Sequence, residues 1–126
     1  MSQTDDFNIY EIIPTDRFNN DVKYYIKKKK FTRLENDIDD ILCSLEKGDF
    51  QGEKIESLKF PKERDVYKVR AKNSNADAGL SNGYRLIYYV QVDNNIVYLI
   101  TIYYKKDDNK IPTNNEIVEM INKYCN

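Results

Sequence analysis

Three stretches in the second half of the chain, VYKVRA (66–71), YRLIYYVQ (84–91) and IVYLITIYY (96–104), concentrate aromatic and β-branched residues as strands do. Strands that follow one another so closely are expected to pair as neighbours in one sheet. The connection VDNNI, between the second and third, is short and rich in turn formers, which predicts a tight hairpin. KNSNADAGLSNG, residues 72–83, is too long for a tight turn, and its small polar side chains predict a mobile flap. A further short strand is expected in FNIYEII, residues 7–13, closed by Pro14.

Between that first strand and the later three the apolar period becomes helical. Thr15 is the predicted cap of a helix whose apolar positions are Phe18, Val22 and Tyr25 or Ile26. Thr32 and Glu35 have capping-box spacing ahead of a second stripe, Leu34, Ile38, Ile41, Leu42 and Leu45, which stops before Gly48. Two antiparallel helices are expected; one longer bent helix is the alternative, because nothing between residues 27 and 31 forces a break. Residues 48–64 read as polar and irregular. A last helix begins after Pro112, with Thr113 and Glu116 as its capping box and Ile117, Ile121 and Tyr124, beside Val118 and Cys125, as its packing face. The fold class is therefore α+β: a small antiparallel or mixed sheet of about four strands with an N-terminal helical pair and a C-terminal helix. The helices are expected on one face, leaving the other as a polar surface, a groove or an interface. With 126 residues and no internal repeat or linker, the chain reads as one domain over residues 1–126.

Composition narrows the chemistry. The chain has no histidine, which removes histidine metal sites, histidine triads and histidine acid-base catalysis. No cofactor and no metal are expected. Cys43 and Cys125 read as small buried apolar groups rather than a disulfide. The N-terminal segment has no basic start or apolar run, and no stretch approaches the roughly 18 apolar residues of a membrane span, so a soluble, cytoplasmic protein is expected. The net charge of -1 hides a gradient: residues 1–20 carry one basic and four acidic side chains, whereas residues 62–110 carry nine basic and six acidic ones. The lysine run Lys27–Lys30 adds a second cluster, and a polyanionic partner stays compatible with the sequence.

Period-two alternation puts Val66, Lys68 and Arg70 on one strand face, and Arg85, Ile87 and Tyr89 on one face of the next. If these strands pair, Lys68, Arg70 and Arg85 converge on the non-helical face, with Lys105 at its rim. Each also has an ordinary reading. Lys68 can be a solvated strand residue, Arg85 the partner of a buried acid, the lysine run a wet helix face, and the eleven tyrosines core material. Together the cations suit a phosphodiester. Lysine meets it as a point charge and arginine as a bidentate fork, and both stabilise the extra charge of a pentacoordinate transition state. RNA supplies its own nucleophile in the 2'-hydroxyl, so a desolvated lysine or a tyrosine could complete the proton transfers.

VYKVR (66–70), GYRLIYYV (83–90) and ITIYYKK (100–106), in that order after a helical pair, resemble the RelE/ParE toxin superfamily, in particular its RelE- and HigB-like branch. The resemblance covers nearly the whole chain. It implies the toxin of a bacterial toxin-antitoxin module, a metal-independent mRNA endonuclease acting in the ribosomal A site and blocked by a cognate antitoxin protein. It also implies catalytic roles for Lys68, Arg70, Arg85 and Lys105: proton transfer or 2'-hydroxyl activation near Lys68 and Arg70, phosphate stabilisation by Arg85, and leaving-group or phosphate contact by Lys105. Lys72, Tyr104 and Lys106 are the expected RNA contacts, Tyr104 by stacking on a base. The branch that inhibits DNA gyrase and a noncatalytic, protein-binding member of the fold are the alternatives. Two features differ from the family pattern: no tyrosine lies between Tyr104 and Tyr124, and no lysine between Lys72 and Arg85.

Overall fold

The computed structural model describes residues 9–125. In chain order the elements are β1 (Glu11–Pro14), α1 (Asp16–Lys27), α2 (Leu34–Glu46), β2 (Glu53–Lys54), β3 (Arg64–Ala71), β4 (Tyr84–Gln91), β5 (Ile96–Tyr104) and α3 (Asn114–Tyr124). Five strands form one sheet in the order β1-β5-β4-β3-β2. β1 pairs with β5 in parallel and every other pairing is antiparallel, so the fold is the expected α+β arrangement with a mixed sheet. The expected strands at 84–91 and 96–104 form with those bounds, and β3 starts two residues earlier than expected. The first two residues of FNIYEII lie outside the described residues. The hairpin after β4 turns through Val92–Asn94, with Asn95 left-handed at φ 56°.

The two sheet faces bury different helices. Tyr84, Leu86, Tyr88 and Val90 of β4 face Phe18 and Tyr25 of α1 and Leu34, Ile38 and Leu45 of α2. On the opposite face, Ile87 and Tyr89 join Ile117, Met120 and Ile121 of α3. The expectation that all helices share one face is therefore corrected. Because β4 is buried along its whole length, its alternate residues need apolar cover on both sides, and α3 supplies the second cover.

Thr15 caps α1, its Oγ1 accepting from the Phe18 N–H at 3.2 Å. The bent-helix alternative fails at Lys30, which takes a left-handed φ of 62°, and the Phe31 N–H then donates back to the Tyr25 carbonyl at 2.9 Å. That turn drops Phe31 between the rings of Tyr25, Tyr84 and Tyr104. The lysine run thus lies at the carbonyl end of α1, where cations favour the helix dipole. α2 does not use the Thr32–Glu35 box: its cap position is Arg33, with no side-chain cap bond, because the turn through Phe31 delays the helix by one residue. The Thr113–Glu116 box of α3 forms in full.

The loop expected to be a mobile flap is tied down at its start. The Ser74 N–H and hydroxyl donate to Asp37 of α2 at 2.9 and 3.1 Å, and the Arg33 N–H donates to Asn75 Oδ1 at 2.8 Å. Cys125 is buried and burial pushes its thiol up to about 12, whereas Cys43 is exposed on α2, against expectation; both are free. No helix among the described residues is long and apolar enough to cross a membrane.

β5 carries an irregularity that positions everything beyond it. Ile87 pairs with Thr101, but Tyr88 pairs with Leu99, so Ile100 is an extra residue that shifts the phase of the strand. β1 ends at Pro14, leaving the β5 edge beyond Leu99 without a strand neighbour. Three side chains of the capped helix take over that edge. The Thr15 hydroxyl reaches the carbonyls of Leu99 and Ile100, Asp21 accepts from the Thr101 hydroxyl and from the Ile102 N–H at 3.2 Å, and the Tyr25 hydroxyl accepts from the Tyr104 N–H at 2.9 Å. Four helical residues rise about 6 Å. Two strand residues rise about 6.7 Å, so Asp21 and Tyr25 meet Ile102 and Tyr104 with little mismatch.

Asp21 is buried, and desolvation pushes its carboxyl above the ordinary value of 3.8 although Thr101, Arg17 and Ile102 hold it down. A carboxyl raised in the folded state contributes stability that is complete below 3.8 and is lost as pH rises through its folded value. In urea titrations the stability advantage of wild type over Asp21→Asn should therefore shrink as pH rises from 3.8. Asp21→Ala at pH 7, which strands the Thr101 and Ile102 donors, should cost about 3 kcal/mol. Equal urea midpoints for Asp21→Ala and wild type would contradict this account of the β5 edge.

Candidate functional site

The register sets Arg70 of β3 directly across from Arg85 of β4, and Arg85 across from Tyr103 of β5. Lys68 lies two residues along β3 on the same face, opposite Ile87. These residues floor a groove of about 760 Å³ at the end of the sheet face that α3 does not fill. β2 and the residues beside it form one wall, Leu80 and Ile111 stand in loops at the margin, and Lys105 follows the end of β5. The expected convergence of Lys68, Arg70, Arg85 and Lys105 is thus present in one groove.

Arg85 is the deepest of the four, 7% exposed. The ion pairs among the described residues are Arg17–Asp21, Lys54–Asp65 and Arg64–Asp93, so the reading of Arg85 as the partner of a buried acid does not hold. Backbone carbonyls position it instead. Nη1 donates to Leu80 at 3.0 Å and to Tyr84 at 3.3 Å, and Nη2 donates to Ser81 at 2.9 Å. A guanidinium has five donors, so two remain for a ligand. Gly83 makes this grip possible: a Cβ there would sit 2.1 Å from the Ala71 carbonyl oxygen, so only glycine lets the loop pass so close to β3. The Gly83 carbonyl in turn accepts from the Lys105 N–H at 2.9 Å, which ties the groove's last cation to the same turn.

Burial, and then the charge of Arg70, pull the Arg85 guanidinium's pKa down from its usual value. Like charges facing one another across an antiparallel pair are destabilising. The Arg70–Arg85 pair is such a contact, retained without a protein carboxylate between the two guanidiniums. A bound anion would reverse the sign of that interaction, and a phosphate matches the planar fork geometry of both partners.

The remaining expectations divide. Lys68 and Lys105 are exposed, so neither is the desolvated lysine that proton transfer was expected to use. Lys72 and Lys106 are exposed and do not line the groove. None of Lys27–Lys30 lines it either. Tyr104, expected to stack on a base, packs against Phe31 and Tyr84 on the helical side of the sheet. The cause is the extra residue at Ile100: simple alternation from Tyr98 and Ile100 would carry Tyr104 to the groove face, but the shifted phase places Tyr103 and Lys105 there instead.

Among the groove residues that escaped the sequence reading are Tyr103 and Glu53. Tyr103 could be found only by knowing the β5 irregularity. Glu53, the sole carboxylate of the groove lining, lies on β2 directly opposite Lys68. β2 has two residues, too few for any periodic signal; its one trace is Gly52, at φ 92°, where a Cβ would sit 2.4 Å from the Lys68 carbonyl oxygen. No group of three or more acidic or thiol side chains among the described residues is placed to hold a metal ion.

Relief of the facing charges is measurable. Arg70→Gln should leave stability unchanged or raise it by roughly 0.5 kcal/mol. It should also reduce the rise in melting temperature that inorganic phosphate gives the wild type. A variant that is destabilised yet keeps the full phosphate response would contradict the reading of this pair as an anion site. Comparison of the chain with protein-family models, with curated proteins and with solved structures finds no match.

Proposed function

We propose that this protein is a RelE/HigB-like toxin, a metal-independent endoribonuclease that cuts mRNA in the ribosomal A site, works in the cytoplasm and is held in check by a cognate antitoxin protein. The observation that carries the reading is the Arg70–Arg85 pair across the β3–β4 ladder, flanked by Lys68 and Lys105 in one groove. Resemblance of VYKVR, GYRLIYYV and ITIYYKK to that family supplies the choice of RNA as substrate. Scattered cations would have favoured the gyrase-inhibiting alternative, and an exposed tyrosine-rich face without a phosphate-sized basic pocket the noncatalytic one.

In the reaction the 2'-oxygen of the nucleotide attacks the adjacent phosphorus. The 2'-O–P bond forms, the P–5'-O bond breaks, and the products are a 2',3'-cyclic phosphate and a 5'-hydroxyl. Arg70 and Arg85 carry the charge that grows on the non-bridging oxygens, Arg85 through the donors its carbonyl contacts leave free. Glu53 takes the 2'-hydroxyl proton, with Lys68 across the strand pair orienting the carboxylate. Lys105 neutralises the charge on the departing 5'-oxygen, which takes its proton from solvent. Without histidine, this division of labour uses a carboxylate as base and lysine as the cationic partner.

Expression should arrest growth, and an antitoxin encoded next to the gene should relieve it. In cleavage mapping on translating ribosomes, Arg85→Ala should lower kcat by at least about 100-fold, as loss of an oxyanion donor does. Glu53→Gln should lower it by about 100-fold with little change in KM. Intact mRNA with folded wild-type protein sinks the endonuclease reading, and undiminished cutting by Arg85→Ala or Glu53→Gln removes that residue from the mechanism.

A further inference from the structure

Two of the four large hydrophobic side chains exposed among the described residues stand at this one groove: Leu80, 59% exposed, and Ile111, 44% exposed. Both are held there by their backbones. The Leu80 carbonyl accepts from Arg85 at 3.0 Å, and Asn82 N–H closes its loop onto the Gly79 carbonyl at 3.3 Å. The Ile111 N–H donates to Asp108 at 3.3 Å, and Pro112 leads directly into the Thr113 cap of α3. Neither side chain belongs to either core cluster. Tyr103, largely buried, lies on the floor across from Arg85.

We infer that Leu80 and Ile111 are the walls of a nucleobase subsite, with Tyr103 at its floor, next to the phosphate position set by Arg70 and Arg85. A lipid chain or an apolar peptide would leave the cations of the groove without partners. A nucleotide supplies in one ligand both an anion for the guanidiniums and a flat apolar face for the two aliphatic side chains. The backbones that carry the walls are held before the ligand arrives, which lowers the ordering entropy that opposes binding. Such a subsite selects the base beside the scissile bond and acts on substrate choice rather than on the bond-breaking step. The larger face of a purine gains more from it than a pyrimidine.

This inference rests on the groove being an RNA phosphate site, and a binding experiment separates the two. The full chain is titrated, by fluorescence anisotropy at one salt concentration, into a fluorescein-labelled tetra-adenylate with 2'-O-methyl riboses, which cannot be cleaved, and into the abasic oligomer of the same backbone. Wild type should bind the adenylate about tenfold tighter than the abasic oligomer. Leu80→Ser with Ile111→Ser, both at exposed positions and both keeping the backbone contacts of Arg85, should reduce that ratio to near one while leaving abasic binding unchanged. Arg85→Ala should weaken binding to both oligomers. Equal binding of both oligomers by wild type, still dependent on Arg85, overturns the base subsite and leaves the phosphate site standing. A ratio that survives the double substitution overturns the assignment to Leu80 and Ile111. Binding that does not depend on Arg85 overturns both the subsite and the phosphate site.

Discussion

Asp21 against the β5 edge is the contact on which the site depends. A parallel neighbour that ends in proline leaves the far half of an edge strand with unpaired N–H and C=O groups beside a core, a cost the fold must meet with side chains. α1 meets it with Thr15, Asp21 and Tyr25 in step with the strand. Asp21 does more than satisfy donors. By accepting from both Thr101 and Ile102, immediately after the extra residue at Ile100, it holds the strand in its shifted phase. That phase decides which of two adjacent tyrosines faces the groove and brings Lys105, rather than Lys106, to it. A buried carboxylate on one face of the sheet is thus tied to the composition of a groove on the other.

The groove shows the converse relation, in which local energetics are sacrificed. Two arginines opposed in a ladder oppose stability, and two large aliphatic side chains left in water contribute none. The rest of the sheet offsets these terms. β4 is buried over its full length, with helices on both faces, and most of the tyrosines that give the sequence its character pack on the α1–α2 side. Tyr25, Tyr84 and Tyr104 meet around Phe31, and Tyr67 stacks on Tyr88 at 5.2 Å. Strain confined to one end of a well-covered sheet is the pattern expected where a surface is kept for a ligand.

What the sequence made legible follows from the range of each signal. Helices with periodic stripes and capped starts, and strands with runs of eight or nine apolar and aromatic residues, announce themselves locally, and the α+β order could be read from them. Lys68, Arg70 and Arg85 could be placed on one face because β3 and β4 pair without irregularity. Tyr104 was misassigned because an extra residue in a strand has no signature of its own, and the helix carboxylate that bonds beside it lies 80 positions away. The second cover of the sheet by α3, the short β2 with Glu53, and the docking of the 72–83 loop onto α2 are all settled by long-range packing. The lysine run was the loudest charge signal in the chain and none of it reaches the groove, because the turn at Lys30 belongs to the helical side.

The arrangement around Arg85 also explains why one cation can stand inside GYRLIYYV at so little cost. A guanidinium placed among Ile87, Tyr89 and Tyr103 by a strand alone would be an uncompensated buried charge. Here the carbonyls of Leu80, Tyr84 and Ser81 replace part of its hydration, and they can do so because Gly83 lets the preceding loop fold back over β3. The same contacts fix the plane of the fork before any anion arrives and leave two of its donors unused. Stability and binding geometry therefore come from the same three carbonyls. Loss of the glycine would disturb the charge without touching it, by withdrawing the loop that both solvates Arg85 and carries Leu80 to the rim.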